Sequence, residues 1–298
     1  MIRLSEPAEW LKAYLASTAE KRIANQMPVF GVNTFTDIAY LSDDNPAHTL
    51  DVYRPKNPPG ALPVILVVHG GAWVGGSKAD NKNFGMYLAS KGFAVVNMDF
   101  TTAVHNHLRT QIEDIIYCFH WIQRNSRQYK FDMRNVFLCG DSSGAHLILL
   151  SYIVNTSDTL RMLYKTEPAD LAVRGIGLIS PVADLQLITK YKPFAERLFG
   201  EKPAESPYYY CASLQDTLRA SISLPPVFLV GAQEDPFFSG TLWTHHLLTK
   251  RNAEHTFRTF PKGQQQKLPH AFAVHYPEYG ESMTANNEMT AFFKQQTV

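Results

Sequence analysis

Gly140-Asp141-Ser142-Ser143-Gly144 is the stretch of this chain best equipped for chemistry. A short apolar run, Val136-Phe137-Leu138-Cys139, leads into it, and Ala145-His146-Leu147-Ile148-Leu149-Leu150 follows with the character of a buried helix. Where a strand turns abruptly into a helix, a Cβ fits poorly two places before and two places after the turning residue. The two glycines therefore select Ser142 for the apex, because the flanks of Ser143 would be Asp141 and Ala145. A serine at such a turn is a candidate nucleophile toward a carbonyl carbon. That chemistry also requires donors for the oxygen that becomes negative, a base and an acid.

Donors are offered upstream. The apolar run Val64–Val68 ends in His69-Gly70-Gly71-Ala72-Trp73, where two glycines leave backbone N–H groups open to close approach. Gly70 and Gly71 are the candidates on this side, and the N–H of Ser143, directly after the nucleophile, is the second donor. Trp73 is a candidate pocket residue. Nucleophile, acid and base follow one another along the chain in this kind of architecture. The base is then expected on a loop after the last strand, where His270 follows Thr256–Phe260 through the polar segment 263–267. His275 is the second choice, and His255 lies too early to reach the strand's carboxyl end. The acid is expected after Val227–Val230, where Glu234 and Asp235 both stand. Asp235, with Pro236 fixing the turn after it, is preferred, and Glu234 stays open as the alternative.

The elements that must position these groups alternate along the chain. Strand candidates are Leu50–Tyr53, Val64–Val68, Ala94–Met98, Val136–Cys139, Ile176–Ile179, Val227–Val230 and Thr256–Phe260. Between them lie helical periodicities, among them Gln111–Ile122 with Ile112, Ile115, Ile116 and Phe119, then Thr241–Leu248 and Asn287–Lys294. This pattern predicts an α/β fold with a mainly parallel sheet and helices on both faces. No repeat or linker divides residues 1–298, so one domain is expected. A segment from about 182 to 224 breaks the alternation and carries Tyr191, Phe194, Phe199, Tyr208, Tyr209 and Tyr210. It reads as a small cap-like insertion with short helices, over the crevice at the strands' carboxyl ends. Residues 1–27 read as an amphipathic helix with Ser5 as N-cap, Pro7 in the first turn, and Trp10, Leu11, Tyr14 and Leu15 as its apolar face.

Composition narrows the classes. With 45% hydrophobic and 18% charged residues the chain can bury a core, and its net charge of +1 gives no basic face for nucleic acid. No segment reaches the length of a membrane span, and none has the apolar run of a secretory leader. Cys118, Cys139 and Cys211, odd in number and without C-x-x-C spacing, suggest reduced thiols in a cytoplasmic protein. Four weaker signals are set aside. Gly71–Lys78 has its lysine after the serine, the wrong order for a P-loop, and Gly175-Ile176-Gly177 lacks the third glycine of a dinucleotide fingerprint. His105 and His107 have no third ligand nearby, and His245 and His246 point apart on a helix.

Taken together, His69-Gly70-Gly71-Ala72, Gly140-Asp141-Ser142-Ser143-Gly144, Glu234-Asp235-Pro236 and His270-Ala271-Phe272 resemble the α/β-hydrolase superfamily. More narrowly they resemble its esterase/lipase group with an H-G-G-x oxyanion motif, the hormone-sensitive-lipase-like and acetyl- and feruloyl-esterase-like branch. The resemblance spans about residues 48 to 296. It implies a Ser142-Asp235-His270 triad, an oxyanion site from Gly70, Gly71 and Ser143, a supporting role for His69, and hydrolysis of a small-molecule carboxylic ester without a cofactor. Short-chain acyl or acetyl esters are the expected substrates. The same machinery would also serve an arylformamidase-like or peptidase-like amide hydrolase, and a non-catalytic binding protein on this fold is a third reading. Two departures stand out. Similar proteins often have alanine where this chain has Ser143, and a Tyr-Arg pair where it has Asp99-Phe100-Thr101-Thr102.

Overall fold

A computed structural model describes residues 7–26, 28–104, 106–182, 185, 192–218, 223–263 and 266–298. Ser5 and Tyr191, both named above, lie outside the described residues. Eight strands form one sheet in the order β1-β2-β4-β3-β5-β6-β7-β8. They are β1 Val32–Ala39, β2 Thr49–Pro55, β3 Leu62–Val68, β4 Ala94–Met98, β5 Phe131–Asp141, β6 Val173–Ile179, β7 Val227–Ala232 and β8 His255–Phe260. β1 and β2 pair antiparallel, as do β2 and β4, and every pairing from β4 through β8 is parallel. All seven expected strands are present.

β1 is the strand that the sequence pattern conceals. Its side chains are mostly exposed, and a bulge at Asp37 interrupts its register with β2 between Phe35 and Ile38. An edge strand with one wet face and a bulge has no apolar run to betray it. β3 shows the opposite character. Val64, Leu66 and Val68 pack into the core on one side of the sheet, and Ile65 and Val67 into the core on the other. A strand covered on both faces needs apolar residues at every position, which is why it reads as a continuous run.

Helices cover both faces. α1 is Pro7–Asn25, α2 Lys82–Ser90, α3 Leu108–Asn125, α4 Ser142–Thr156 and α5 Asp158–Tyr164. α4 is buried along nearly its whole length, from Ser142 to Asn155, and its apolar residues point in all directions. The expected helices near 241 and 287 extend to Phe238–Lys250 and Gly280–Gln295. Among its described residues, the insertion after β6 holds a helix, Lys192–Phe199, two 3₁₀ turns and a short helix, Leu214–Thr217. No helix among the described residues is long and apolar enough to cross a membrane. Cys118, Cys139 and Cys211 are free and buried.

Register places the candidate groups. Val68 pairs with Gly140 across β3 and β5, so the loops after these strands leave the sheet side by side. Ala232 pairs with Phe260 across β7 and β8, which brings the Asp235 turn next to the segment leading to His270. The chain order changes direction around β3, and the crevice lies outside the strands' carboxyl ends there.

Candidate active site

β5 ends at Asp141, and α4 begins at the next residue. Ser142 is the hinge of that turn, with φ at 52°, a left-handed conformation uncommon for a residue with a side chain. The flanking glycines are required by contact. A Cβ on Gly140 would lie 2.6 Å from the backbone of Gly144, and one on Gly144 would lie 2.2 Å from the carbonyl oxygen of Val68. The frame chosen from sequence is thus enforced by backbone packed on backbone.

His270 lies beyond β8 and faces Asp235. Its Nδ1 lies 2.8 Å from Oδ2 and 3.0 Å from Oδ1 of the Asp235 carboxylate. An ionised carboxylate only accepts, so Nδ1 carries a proton and the neutral ring presents its lone pair at Nε2. Asp235 is buried, and its Oδ1 also accepts from the N–H of Phe237 at 2.8 Å. Glu234 turns elsewhere: its Oε2 accepts from the N–H of Leu268 at 3.0 Å, bracing the segment before His270. Of the two carboxylates left open by sequence, the one that meets the imidazole is Asp235. Ala271, next to His270, is also left-handed at φ 53°, and its N–H donates to Ser180 Oγ at 3.3 Å.

His275 takes a different place. It closes the short helix Phe272–His275, and its Nε2 is 3.8 Å from Asp141 Oδ2. Burial, with the charge of Arg22 adding to it, holds its imidazole down at about 3, so it is neutral near pH 7. His69 supports the loop it belongs to. Its Nδ1 donates to the Gly70 carbonyl at 2.6 Å, and its ring stacks on Phe100 at 4.3 Å.

The two glycines of the donor loop separate in role. The N–H of Gly70 donates to Asp141 Oδ1 at 3.1 Å, an oxygen that also accepts from Asn81 Nδ2 at 2.8 Å. Burial raises the Asp141 carboxyl above its ordinary value, opposed by these hydrogen bonds. The N–H groups of Gly71 and Ala72 have no acceptor among the described residues. Ser143 stands in the first turn of α4, where N–H groups have no intrahelical acceptor. Asp141 and Asn81 were not singled out from sequence as parts of the site. Asp141 lies inside the serine motif, but nothing local marks Asn81, fixed sixty residues away on the chain.

Ser142, His270, Gly70, Gly71 and Trp73 line one cleft of about 2190 Å³. α1 forms a wall of it through Trp10, Leu11, Tyr14 and Leu15. The face expected to be apolar therefore covers the cleft, with Leu11 also packed on the core, and Trp10 and Tyr14 remain 54% and 53% exposed. Their rings stack in parallel at 5.5 Å. Phe194 of the insertion and Phe237 add further aromatic surface, the latter edge-on to His270 at 4.9 Å. α1 is fastened near its end by Arg22 to Asp80 at 3.3 Å and by Gln26 to the carbonyl of His275 at 3.1 Å. Of the histidines set aside, His105 lies outside the described residues, and His107 Nδ1 donates to the carbonyl of Arg197.

A serine on a strand-to-helix turn, an imidazole held by a carboxylate and a glycine loop beside them, all on this sheet, make the chain an α/β-hydrolase. It belongs to the BD-FAE family, whose model matches residues 50–241. Esterase B from Lactobacillus rhamnosis superposes with a TM-score of 0.91 at 26% identity, covering 97% of this chain and 95% of that one. An esterase from Pyrobaculum calidifontis shares the fold, with a TM-score of 0.72 at 21% identity over 99% of this chain and 96% of that one. By sequence, esterase LipC of Mycobacterium tuberculosis is 34% identical over 37% of this chain and 28% of its own length. An isoprenylcysteine alpha-carbonyl methylesterase of Arabidopsis thaliana is 29% identical over 40% of this chain and 28% of its own length. The chain thus spans roughly a quarter of the length of these curated relatives.

Proposed function

We propose that the chain is a serine carboxylesterase that hydrolyses small, short-chain acyl esters through an acyl-enzyme. Ser142 Oγ attacks the ester carbonyl while His270 Nε2 takes its proton, and the proton returns to the departing alcohol. Water, activated by the same nitrogen, then releases the acid. Asp235 orients the imidazole and stabilises its charge. The developing oxyanion is received by the N–H groups of Ser143 and of the Gly70–Gly71 loop, with Gly71 the free donor because Gly70 is engaged by Asp141. The observation that carries this reading is His270, held by the buried Asp235, lining the same cleft as a left-handed Ser142.

The cleft leaves room beyond a small ester. A cleft of about 2190 Å³ exceeds the roughly 300–1,000 Å³ of ordinary ligand pockets and admits an apolar limb beyond a short acyl group. A fluorophosphonate probe should label Ser142 once per chain, and Ser142→Ala should lose labelling and at least about 10⁴-fold in kcat. A Ser142→Ala chain that keeps its esterase activity ends this reading.

A second reading has its own support. Kynurenine formamidase of Danio rerio is 28% identical over 52% of this chain and 48% of its own length, and a formamide would use the same groups. Comparing kcat/KM for p-nitrophenyl esters and N-formyl aryl amides separates the two. Preference for the amide would replace the ester assignment while keeping the site.

A further inference from the structure

Ala72 and Trp73 are consecutive residues with side chains in the left-handed region, at φ 52° and 63°. They follow Gly71, at φ 125°. Each such residue is strained and persists only where its surroundings hold it. The holding groups converge on Trp73. Its N–H donates to Ser143 Oγ at 3.3 Å. Its carbonyl accepts from Gln111 Nε2 at 2.6 Å and from the N–H of Ala103 at 2.7 Å. Ser143 and Gln111 are both fully buried, so neither hydrogen bond competes with water. The indole is buried too, edge-on to His146 at 5.6 Å and to Phe194 at 6.3 Å.

The loop is thus tied at both ends. Asp141 holds it at Gly70, and Ser143 and Gln111 hold it at Trp73. Between the ties lie Gly71 and Ala72, whose N–H groups have no acceptor among the described residues. Donors of this kind act only when held to within about 0.5 Å of the productive geometry. The tie at Trp73 comes from the residue directly after the nucleophile. One residue would then supply a donor through its backbone and aim the opposing donors through its side chain.

We propose that the Ser143 hydroxyl and the Gln111 carboxamide are positioning groups that clamp the Trp73 backbone and thereby hold the Gly71–Ala72 donors in register with Ser142. The proposal rests on the serine-esterase reading above. Alanine at 143, the residue that the resemblance leads one to expect, would keep the N–H donor and remove the clamp. The carboxamide of Gln111 comes from α3, an element with no other part in the site, so the two anchors can be removed separately.

A trifluoromethyl ketone reads the donors directly. Ser142 Oγ adds to its carbonyl carbon, the C=O π electrons become an oxyanion, and the serine proton passes to His270. Wild type, Ser143→Ala, Gln111→Met and Ser143→Thr are compared for kcat and KM on p-nitrophenyl butyrate, ketone inhibition constant, fluorophosphonate labelling and Tm. Ser143→Ala and Gln111→Met should each lower kcat by about 5- to 30-fold with KM within about two-fold, less than the loss of a whole donor. Ketone affinity should weaken by a similar factor, labelling should still reach one per chain, and Ser143→Thr, which restores the oxygen, should recover most of the loss. If both clamp variants keep wild-type kcat and ketone affinity, the proposal is overturned, whatever their Tm. A wild-type chain that takes up no probe at Ser142 overturns the esterase reading, and the proposal with it.

Discussion

The floor and the cover of the cleft are built by opposite rules. On the floor, Gly140 and Gly144 bring backbone against backbone, and Val68, Ser143, Ala145 and Leu147 are wholly buried. On the cover, α1 offers a stacked Trp10–Tyr14 pair that is half exposed and rests on a few fastenings. Leu15 touches down at Gly75, where an added Cβ would find its Cδ1 at 3.2 Å. The chemistry expected on the floor depends on tenths of an ångström, so its geometry is over-determined by packing. A wall that contacts an apolar limb needs area rather than angle, and a flat aromatic pair supplies it.

The largest effect should come from the acid on the floor. Asp235→Asn should lower kcat by about 10³–10⁴-fold, because an amide at this point can stabilise the wrong imidazole tautomer. Glu234→Gln keeps an acceptor for the Leu268 N–H and should stay within a few-fold of wild type. Steady-state kinetics on one ester distinguishes the two carboxylates, and equal losses would show that the floor extends to Glu234.

A smaller effect lies where the floor meets the insertion after β6. His146 of α4 donates from Nε2 to the carbonyl of Cys211 at 3.0 Å, and its Nδ1 is buried without a partner among the described residues. Burial holds this imidazole down at about 4, against an ordinary value of 6.5. Between these pH values the unfolded chain binds the proton and the folded chain does not, so stability falls as pH drops from about 6.5 to about 4. The loss from this group should be of order 1–3 kcal/mol. Urea unfolding at pH 7.5, 6 and 5 should show the slope, and His146→Gln should flatten it. An unchanged slope in the variant would assign the acid sensitivity to other groups.

The smallest effect should belong to the cover. Trp10→Ala with Tyr14→Ala should raise KM for p-nitrophenyl octanoate by about 3- to 10-fold and leave kcat near wild type, as expected when binding is lost equally from ground and transition states. p-Nitrophenyl acetate should be nearly unaffected. A fall in kcat on both esters would mean that α1 shapes the floor as well as the wall.

Some of this was legible in residues alone. Strands buried on both faces, such as β3, announce themselves by continuous apolar character, and the glycine spacing around Ser142 follows from a steric rule with one solution. Loop placement after β7 and β8 was readable from chain order. β1 was not, since an exposed, bulged edge carries little apolar signal. The apolar face of α1 was visible as Trp10, Leu11, Tyr14 and Leu15, but its destination over the cleft was not, because periodicity defines a face and not its partner.

The sequence by itself determined the α/β architecture, the sharp serine turn between two glycines and the order of the candidate serine, carboxylate and histidine, since each depends on local sterics or on periodic burial. Tertiary structure alone decided three further matters. It turned Asp235 rather than Glu234 toward His270, gave the Gly70 N–H to Asp141 so that Gly71 is left open, and tied Trp73 to Ser143 and Gln111. Each is a contact between residues tens of positions apart, set by the register of β3 on β5 and of β7 on β8 and, for Gln111, by the placement of α3. No local rule in the chain encodes which donor meets which acceptor once those strands are aligned.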